Sequence, residues 1–574
     1  MGYLSVYWKR YWKLFLAAVA FLSIESFCDL LQPTIVSKII DEGVQTQQLD
    51  IVIHYALLML GVTVVGAIGA VGRNQLASRV SQRFGADLRL DMFKKINQYS
   101  YEELGKRDTA GLLTRMTNDA TQVQQFANGM MRIFVKAPIL GIGAFIMVCF
   151  LNARLALLLL VVVPIVIALI ITSLKVGAPF FLKMQQALDR LNAAAREYLS
   201  GVRVVKAFNT FGHEMKRFGA VNESLADISI RVGRVMAVFS PAITLVMNMA
   251  VVALLWMAPD LIQTGDMRVG EVIAFMNYMS QILMALTMVF NVYQQFIRAR
   301  ASAGRIGDIL GTDGQSEAQG VYRTDKVRGR IEFRNVTFTY LGSSTPVLRN
   351  VSFTAAPGET IGIIGSTGSG KSSLVNLVPG FYHPDEGAVL LDGWEVREYD
   401  LAVLRENLSV VPQKPQLFTG SIAENIRWGK MDATADEIAE AAKAAQAHEF
   451  IMAFPDGYDT VLGQNGVNLS GGQKQRVSIA RALVRKSGVL ILDDCVSAVD
   501  IATEAAILQA LAQQSGRVTC LMVTQRVSSV LHLPKILVLD NGRAVGFGNH
   551  AHLMAECEVY REILRSQLGR GQTE

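Results

Sequence analysis

The first half of this 574-residue chain carries apolar runs too long for an ordinary soluble core, and they constrain the fold before anything else does. The longest, "APILGIGAFIMVCFLNARLALLLLVVVPIVIALIITSL" (137–174), is enough for two bilayer crossings around a tight turn at Asn152 to Arg154, since one helical crossing takes about 20 apolar residues. Six spans are expected, at 12–36, 53–73, 133–151, 155–174, 237–258 and 271–295. Hydrophobic residues make up 51% of the chain, high for a protein with no membrane part.

Basic residues set the orientation. The stretch 73–131 holds nine Lys or Arg and 175–235 holds ten, whereas the three other connections hold only Lys38, Arg154 and Arg268. By the positive-inside rule the two long connections face the cytoplasm, and both termini with them. Neither connection reads as a loop. Segments such as "RVSQRFGADLRLDMFKKINQ" (79–98) and "MQQALDRLNAAAREYLSGVRVVKAF" (184–208) place apolar residues at helical spacing, so the spans are expected to continue as long helices beyond the bilayer. Turns are expected in 100–119 and 208–214, leaving short segments at the tips that could dock on another domain. Five cysteines (Cys28, Cys149, Cys495, Cys520, Cys557) have no metal-like spacing and read as free thiols in a reducing compartment.

A boundary falls in the polar, aperiodic stretch 311–330, separating a membrane domain (1–310) from a second domain (331–574) that alternates polar and apolar residues like an α/β fold. There "GETIGIIGSTGSGKSSLVNLV" (358–378) orders an apolar strand, a Gly-rich turn and a helix. It contains the pattern Gly-x-x-x-x-Gly-Lys-Ser, with Gly365, Ser366, Thr367, Gly368, Ser369, Gly370, Lys371 and Ser372, followed by Ser373. Such a turn aims backbone N–H groups at a phosphate, with Lys371 directed to the β- and γ-phosphates and Ser372 to Mg²⁺. Downstream, "VLILDDC" (489–495) is an apolar strand ending in Asp493, expected to hold Mg²⁺ through water, and Asp494, beside an attacking water. ATP and Mg²⁺ are therefore the expected ligands. Between them "NLSGGQKQRVSIARALV" (468–484) opens a second helix on Ser470, Gly471, Gly472 and Gln473. One ATP does not need two such helix starts, but two domains meeting head to tail could each lend this turn to the other's nucleotide.

Together these motifs resemble an ATP-binding cassette domain, and six spans followed by that domain resemble an exporter half-transporter of the multidrug type. The resemblance covers nearly the whole chain. It implies an all-α six-helix transmembrane domain with long cytoplasmic helix extensions, followed by an α/β P-loop cassette. In such families an aromatic before the first strand stacks on adenine, a role that falls to Tyr340 in "VTFTY". The resemblance also makes Gln413 in "VVPQKPQLF" the residue that contacts Mg²⁺ and senses the transmembrane domain, Asp500 in "SAVD" the cross-dimer contact, and the tips near 100–110 and 206–213 the coupling helices.

Two positions depart from the family pattern. It has Glu at 494 as base and His at the switch position, where this chain has Asp494 and, in "MVTQRVSS", Gln525. A carboxylate one methylene shorter reaches less far, and an amide cannot take up a proton as imidazole can. Slow hydrolysis at an ATP-competent site, beside an intact "LSGGQ" turn, fits the degenerate subunit of a heterodimeric bacterial exporter of amphipathic compounds in the plasma membrane. Its partner would be a second half-transporter with the Glu and His. A homodimeric lipid or peptide flippase and an ATP-gated regulator or channel stay open. No nucleic-acid partner is expected. For the transported compound, Glu25 and Asp29 share one helix face of the first span, where a lone charge is expensive. They read either as a site for a cationic or amphipathic substrate or as a pair turned toward neighbouring helices. Asn277 and Gln281 in the last span add polar candidates.

Overall fold

The computed structural model describes residues 4–311, 322, 327–495, 497, 499–513 and 518–568. Most of the expected connector at 311–330 lies outside the described residues. The chain divides into two compact units, Met1–Lys95 with Ala110–Thr312, and Ile96–Thr109 with Asp313–Glu574.

Among the described residues six helical stretches, lying almost wholly in the first unit, are long and apolar enough to cross a membrane: Val6–Val44, Leu49–Asn97, Thr109–Leu151, Ala153–Ala207, Phe211–Gln263 and Val269–Leu310. Each contains one expected apolar window and runs past it. The fourth has 55 residues, about 80 Å of helix at 1.5 Å per residue against a hydrocarbon layer of about 30 Å. The apolar windows therefore mark where lipid would lie, and the remainder is amphipathic helix beyond it. Asn152 makes the tight turn between the third and fourth stretches, its side chain accepting from the N–H groups of Arg154 and Leu155, which caps the new helix. The first and last stretches are joined through Tyr278, whose buried hydroxyl lies 2.7 Å from Thr34 Oγ1 and donates to the Leu30 carbonyl at 2.6 Å. Buried Asp41 accepts from Gly270 N–H at 2.6 Å, satisfying a donor at the start of the last helix.

The two tips differ. Ser100 caps a separate short helix, Tyr101–Gly105, by accepting from Glu103 N–H. At the other tip the helix resumes at Phe211 after a turn through Asn209 (φ 52°), so the expected second short segment is replaced by a tight reversal.

Among its described residues the second unit has twelve strands: β1 (Ile331–Phe338), β2 (Leu348–Ala355), β3 (Thr360–Gly365), β4 (Glu386–Leu391), β5 (Trp394–Glu395), β6 (Leu408–Val411), β7 (Gly420–Ser421), β8 (Val461–Leu462), β9 (Val489–Asp493), β10 (Thr519–Val523), β11 (Lys535–Asp540) and β12 (Arg543–Gly548). One sheet has the order β12-β11-β3-β10-β9-β6, parallel except for β12. A second, antiparallel sheet has the order β2-β1-β4-β5, and β7 pairs with β8. All five residues of β9 and of β10 are buried, as expected for parallel strands covered on both faces. The register sets Val523 opposite Asp493 and Leu539 opposite Gly365, so the carboxyl ends of β3, β9 and β10 lie along one edge of the sheet, where α/β folds place ligands. All five cysteines are free thiols.

Candidate active site

The Gly-rich turn leaves β3 at Gly365 and enters the helix Lys371–Asn376. Gly368 and Gly370 have φ of 84° and 98°, a region closed to most residues with a Cβ. A Cβ on Gly370 would also lie 2.8 Å from Leu348 Cδ2. Ser366, Thr367 and Gly368 are exposed at the crest of the turn. Buried Lys371 donates to the carbonyls of Gly365 and Ser366, both at 2.8 Å. Burial lowers its pKa, and Asp494 and Asp493 oppose that shift. Ser369 Oγ is buried without a hydrogen-bond partner. A buried ammonium held only by neutral carbonyls, beside an orphaned hydroxyl, suits a ligand rich in anionic oxygens, so the residues fit a triphosphate.

Ser372 Oγ donates to Asp493 Oδ1 at 2.8 Å, bringing together the two residues expected at Mg²⁺. Burial raises the Asp493 pKa from its ordinary value, and the hydrogen bond from Ser372 opposes that shift. The chain then turns sharply, with Asp494 at φ 48°, a left-handed conformation that a short polar side chain tolerates better than most. Asp494 Oδ2 accepts from Gln413 Nε2 at 3.2 Å and Gln525 Nε2 at 2.9 Å. Its Oδ1 is buried without a partner. Three of the expected residues thus form one knot: the short carboxylate is held by two amides through one oxygen, and the other is buried with no protein partner.

Tyr340 stands just after β1, not before the first strand as expected. Its hydroxyl lies 2.9 Å from Ser373 Oγ, and its ring packs edge-on against Phe338 and Tyr382. Ser470 and Gln473 close a capping box on the helix Gly471–Leu483: Ser470 Oγ accepts from Gln473 N–H while Gln473 Oε1 accepts from Ser470 N–H. Gly471 and Gly472 form its first turn. Asp500 caps the helix Ile501–Ala512, accepting from Thr503 N–H and Oγ1. The backbone N–H of Thr503 is the main reason its pKa lies below the ordinary carboxylate value.

Sequence reasoning missed the supports of these loops. Arg526, next to Gln525, donates to buried Glu504 at 2.6 Å and to the Ser497 carbonyl at 3.0 Å. Gln567 donates to the Gln525 carbonyl at 2.6 Å and accepts from Val527 N–H at 2.8 Å, bracketing the loop that carries Gln525. Adjacency to Gln525 was the available signal for Arg526, and nothing comparable marked Gln567.

In the first unit, buried Glu25 accepts from Arg73 Nε at 2.7 Å and Lys136 Nζ at 2.7 Å, and Lys136 also pairs with Asp29 at 2.9 Å. Two cations from neighbouring helices thus meet both carboxylates, which is the arrangement of the second of the two readings left open by the sequence, a pair turned toward neighbouring helices. Gln281 Nε2 donates to the Asp29 carbonyl while its Oε1 is buried without a partner. Asn277 is exposed and donates to its own helix at Ile273 O.

Residues 15–286 match the family of the ABC transporter transmembrane region, and residues 348–497 match the ABC transporter family. The chain is 40% identical over 553 residues to an uncharacterized ABC transporter ATP-binding protein, YfiB, of Bacillus subtilis, covering 96% of each. It is 34% identical to an ATP-dependent lipid A-core flippase of Pseudomonas aeruginosa, over 90% of this chain and 85% of that protein. Among solved structures, a bacterial Atm1-family ABC exporter with ATP bound superposes with a TM-score of 0.81 at 25% identity, over 97% of this chain and 99% of that one.

Proposed function

This chain belongs to the ABC transporters as an exporter half-transporter, and from that premise we propose that it works as the slow-site half of a heterodimer exporting amphipathic compounds across a bacterial plasma membrane. The observation that carries the reading is the knot at Asp494. A water poised for attack on a γ-phosphate needs a base that reaches it, and here the shorter carboxylate is drawn aside through Oδ2 by Gln413 and Gln525. Gln525 can donate to a phosphate oxygen but cannot carry its proton.

In this reading ATP still binds. Lys371 and the turn Gly365 to Ser373 take the phosphates, Tyr340 the adenine and Asp500 the partner across the dimer. Ser372, Asp493 and Gln413 would hold Mg²⁺, which supplies charge neutralisation between the phosphates when bound. The turn Ser470 to Gln473 completes the partner's hydrolysing site, and its capping box holds those donors in place beforehand. Both termini and the cassette face the cytoplasm by the distribution of Lys and Arg. The domain plan is 1–310, a connector 311–330 and 331–574.

The test is ATPase activity of the assembled pair. Ser470→Arg places charge and bulk at the partner's γ-phosphate and should lower turnover by about a hundredfold, the scale of losing a transition-state donor. An unchanged rate would refute the composite site. A second reading, a homodimeric lipid flippase, draws on the similarity to lipid A-core flippases. It predicts that the purified chain alone hydrolyses ATP as fast as any mixture with a second half-transporter.

A further inference from the structure

Tyr101 is the first residue of the short helix Tyr101–Gly105, four residues beyond the end of the long helix Leu49–Asn97. Within the second unit its ring stacks on Phe381 with centroids 5.1 Å apart and planes at 23°. It also meets Tyr382 edge-on at 5.6 Å and 84°. Tyr382 in turn meets Tyr340 edge-on at 5.2 Å and 90°. Tyr340 is fastened to the phosphate-loop helix through Ser373. Three tyrosines from distant parts of the chain thus form a continuous row, and its far end is the residue assigned above to adenine. Edge-to-face pairs are directional, because the positive rim of one ring faces the negative face of the next. Turning one ring therefore costs contact with the next, and a tightly packed row passes on displacement that a loose one would absorb.

We propose that Tyr382 is a positioning residue that ties the orientation of Tyr340 to the segment 96–109, so that nucleotide occupancy is felt at the end of the second membrane helix. The proposal rests on the reading of Tyr340 as the adenine contact. The two rings of Tyr382's neighbours do not need its hydroxyl, since both contacts are made by the ring itself.

The experiment measures the affinity of the full-length chain in lipid nanodiscs for a fluorescent ATP analogue modified on the ribose. Tyr101 is half exposed and can be changed with little risk to folding. Tyr101→Leu should weaken binding about threefold, the size of one edge-to-face pair, although Tyr101 is assigned no contact with nucleotide. In a Tyr382→Leu background the same change should have no effect, whereas Tyr382→Phe should keep the threefold response. A merely structural Tyr382 would leave the two substitutions additive. Equal effects of Tyr101→Leu in both backgrounds, or none in the wild-type background, would overturn the proposal. Tyr340→Leu is the control for its premise: it should weaken binding about tenfold, as loss of base stacking does. If it does not, the adenine assignment fails first and the row loses its meaning with it. If it does while the coupling is absent, only the row is refuted.

Discussion

Two pairs of acidic residues, one in each unit, are treated in opposite ways. Glu25 and Asp29 in the first helix are met by Arg73 and Lys136 at 2.7 to 2.9 Å. Asp493 and Asp494 at the end of β9 are met by a hydroxyl and two amides, and one oxygen of Asp494 is buried with no partner. Burying a carboxylate is costly unless charge and hydrogen bonds compensate it. The compensated pair has the character of a joint between helices. The pair left short of compensation has the character of a site awaiting a cation and anionic oxygens, because only a ligand completes it.

The largest effect should come from breaking the compensated pair. Glu25→Gln leaves the Arg73 guanidinium buried without a carboxylate, and removing one partner of such a pair costs about 3–5 kcal/mol. Thermal unfolding in nanodiscs should move to clearly lower temperature. Adding Arg73→Met, which removes the stranded charge, should restore much of the loss. If Glu25→Gln melts like the wild type, the first pair is no joint and the contrast between the two sites disappears.

Repairing the incomplete pair should produce a smaller effect of opposite sign on function. Asp494→Glu with Gln525→His supplies a longer base and a group that can take a proton, so single-turnover hydrolysis at this site should rise at least about tenfold. Position 494 is left-handed, and a longer side chain there meets strain of about 1–2 kcal/mol, which will limit the gain. Measurement with the partner's own site disabled isolates the effect. No gain would mean that the loops held by Arg526 and Gln567, and not the two side chains, keep the site slow.

How much of this was readable in the chain depended on distance along it. The apolar windows and the order strand, Gly-rich turn, helix are local patterns, and all were recoverable. The ends of the helices were not, because past the bilayer an amphipathic helix continues without an apolar signature. The partners of Glu25 lie 48 and 111 residues away, so nothing local in the sequence marked Arg73 and Lys136 as its partners. Asp494 and Gln525 were each visible as departures from a family pattern. That one amide would bond the other's carboxylate across 31 residues followed only from the pairing of β9 with β10.

A third outcome separates the pairs by sign of stability. Burial raises the Asp493 pKa, so its ionised form opposes folding at neutral pH in the ligand-free protein. That cost is full above the folded pKa, shrinks as pH falls through it, and vanishes below the unfolded value. Asp493→Asn, measured without Mg²⁺ or nucleotide, should therefore raise the melting temperature by a few degrees at neutral pH, where Glu25→Gln lowers it. The gain should fade on acidification. The same variant should lose the Mg²⁺-dependent part of its ATP affinity, since an amide is a poorer ligand for a hard cation. A melting temperature that falls instead would place Asp493 among the compensated carboxylates.

The smallest effect is expected at Asp494 itself. Asparagine is nearly isosteric, tolerates the left-handed backbone, and keeps an oxygen that can accept from Gln413 and Gln525. Its amide nitrogen would occupy the position of the oxygen that already has no protein partner, so no existing hydrogen bond is lost. If this site contributes little to turnover, Asp494→Asn should change the steady-state ATPase of the assembled transporter by less than about twofold, because the general base it removes was not limiting. The measurement belongs beside Ser470→Arg in the same preparation. A loss as deep as that of Ser470→Arg would mean that Asp494, despite its short reach and its two amide neighbours, is a working base, and that the incomplete pair is an active site in its own right.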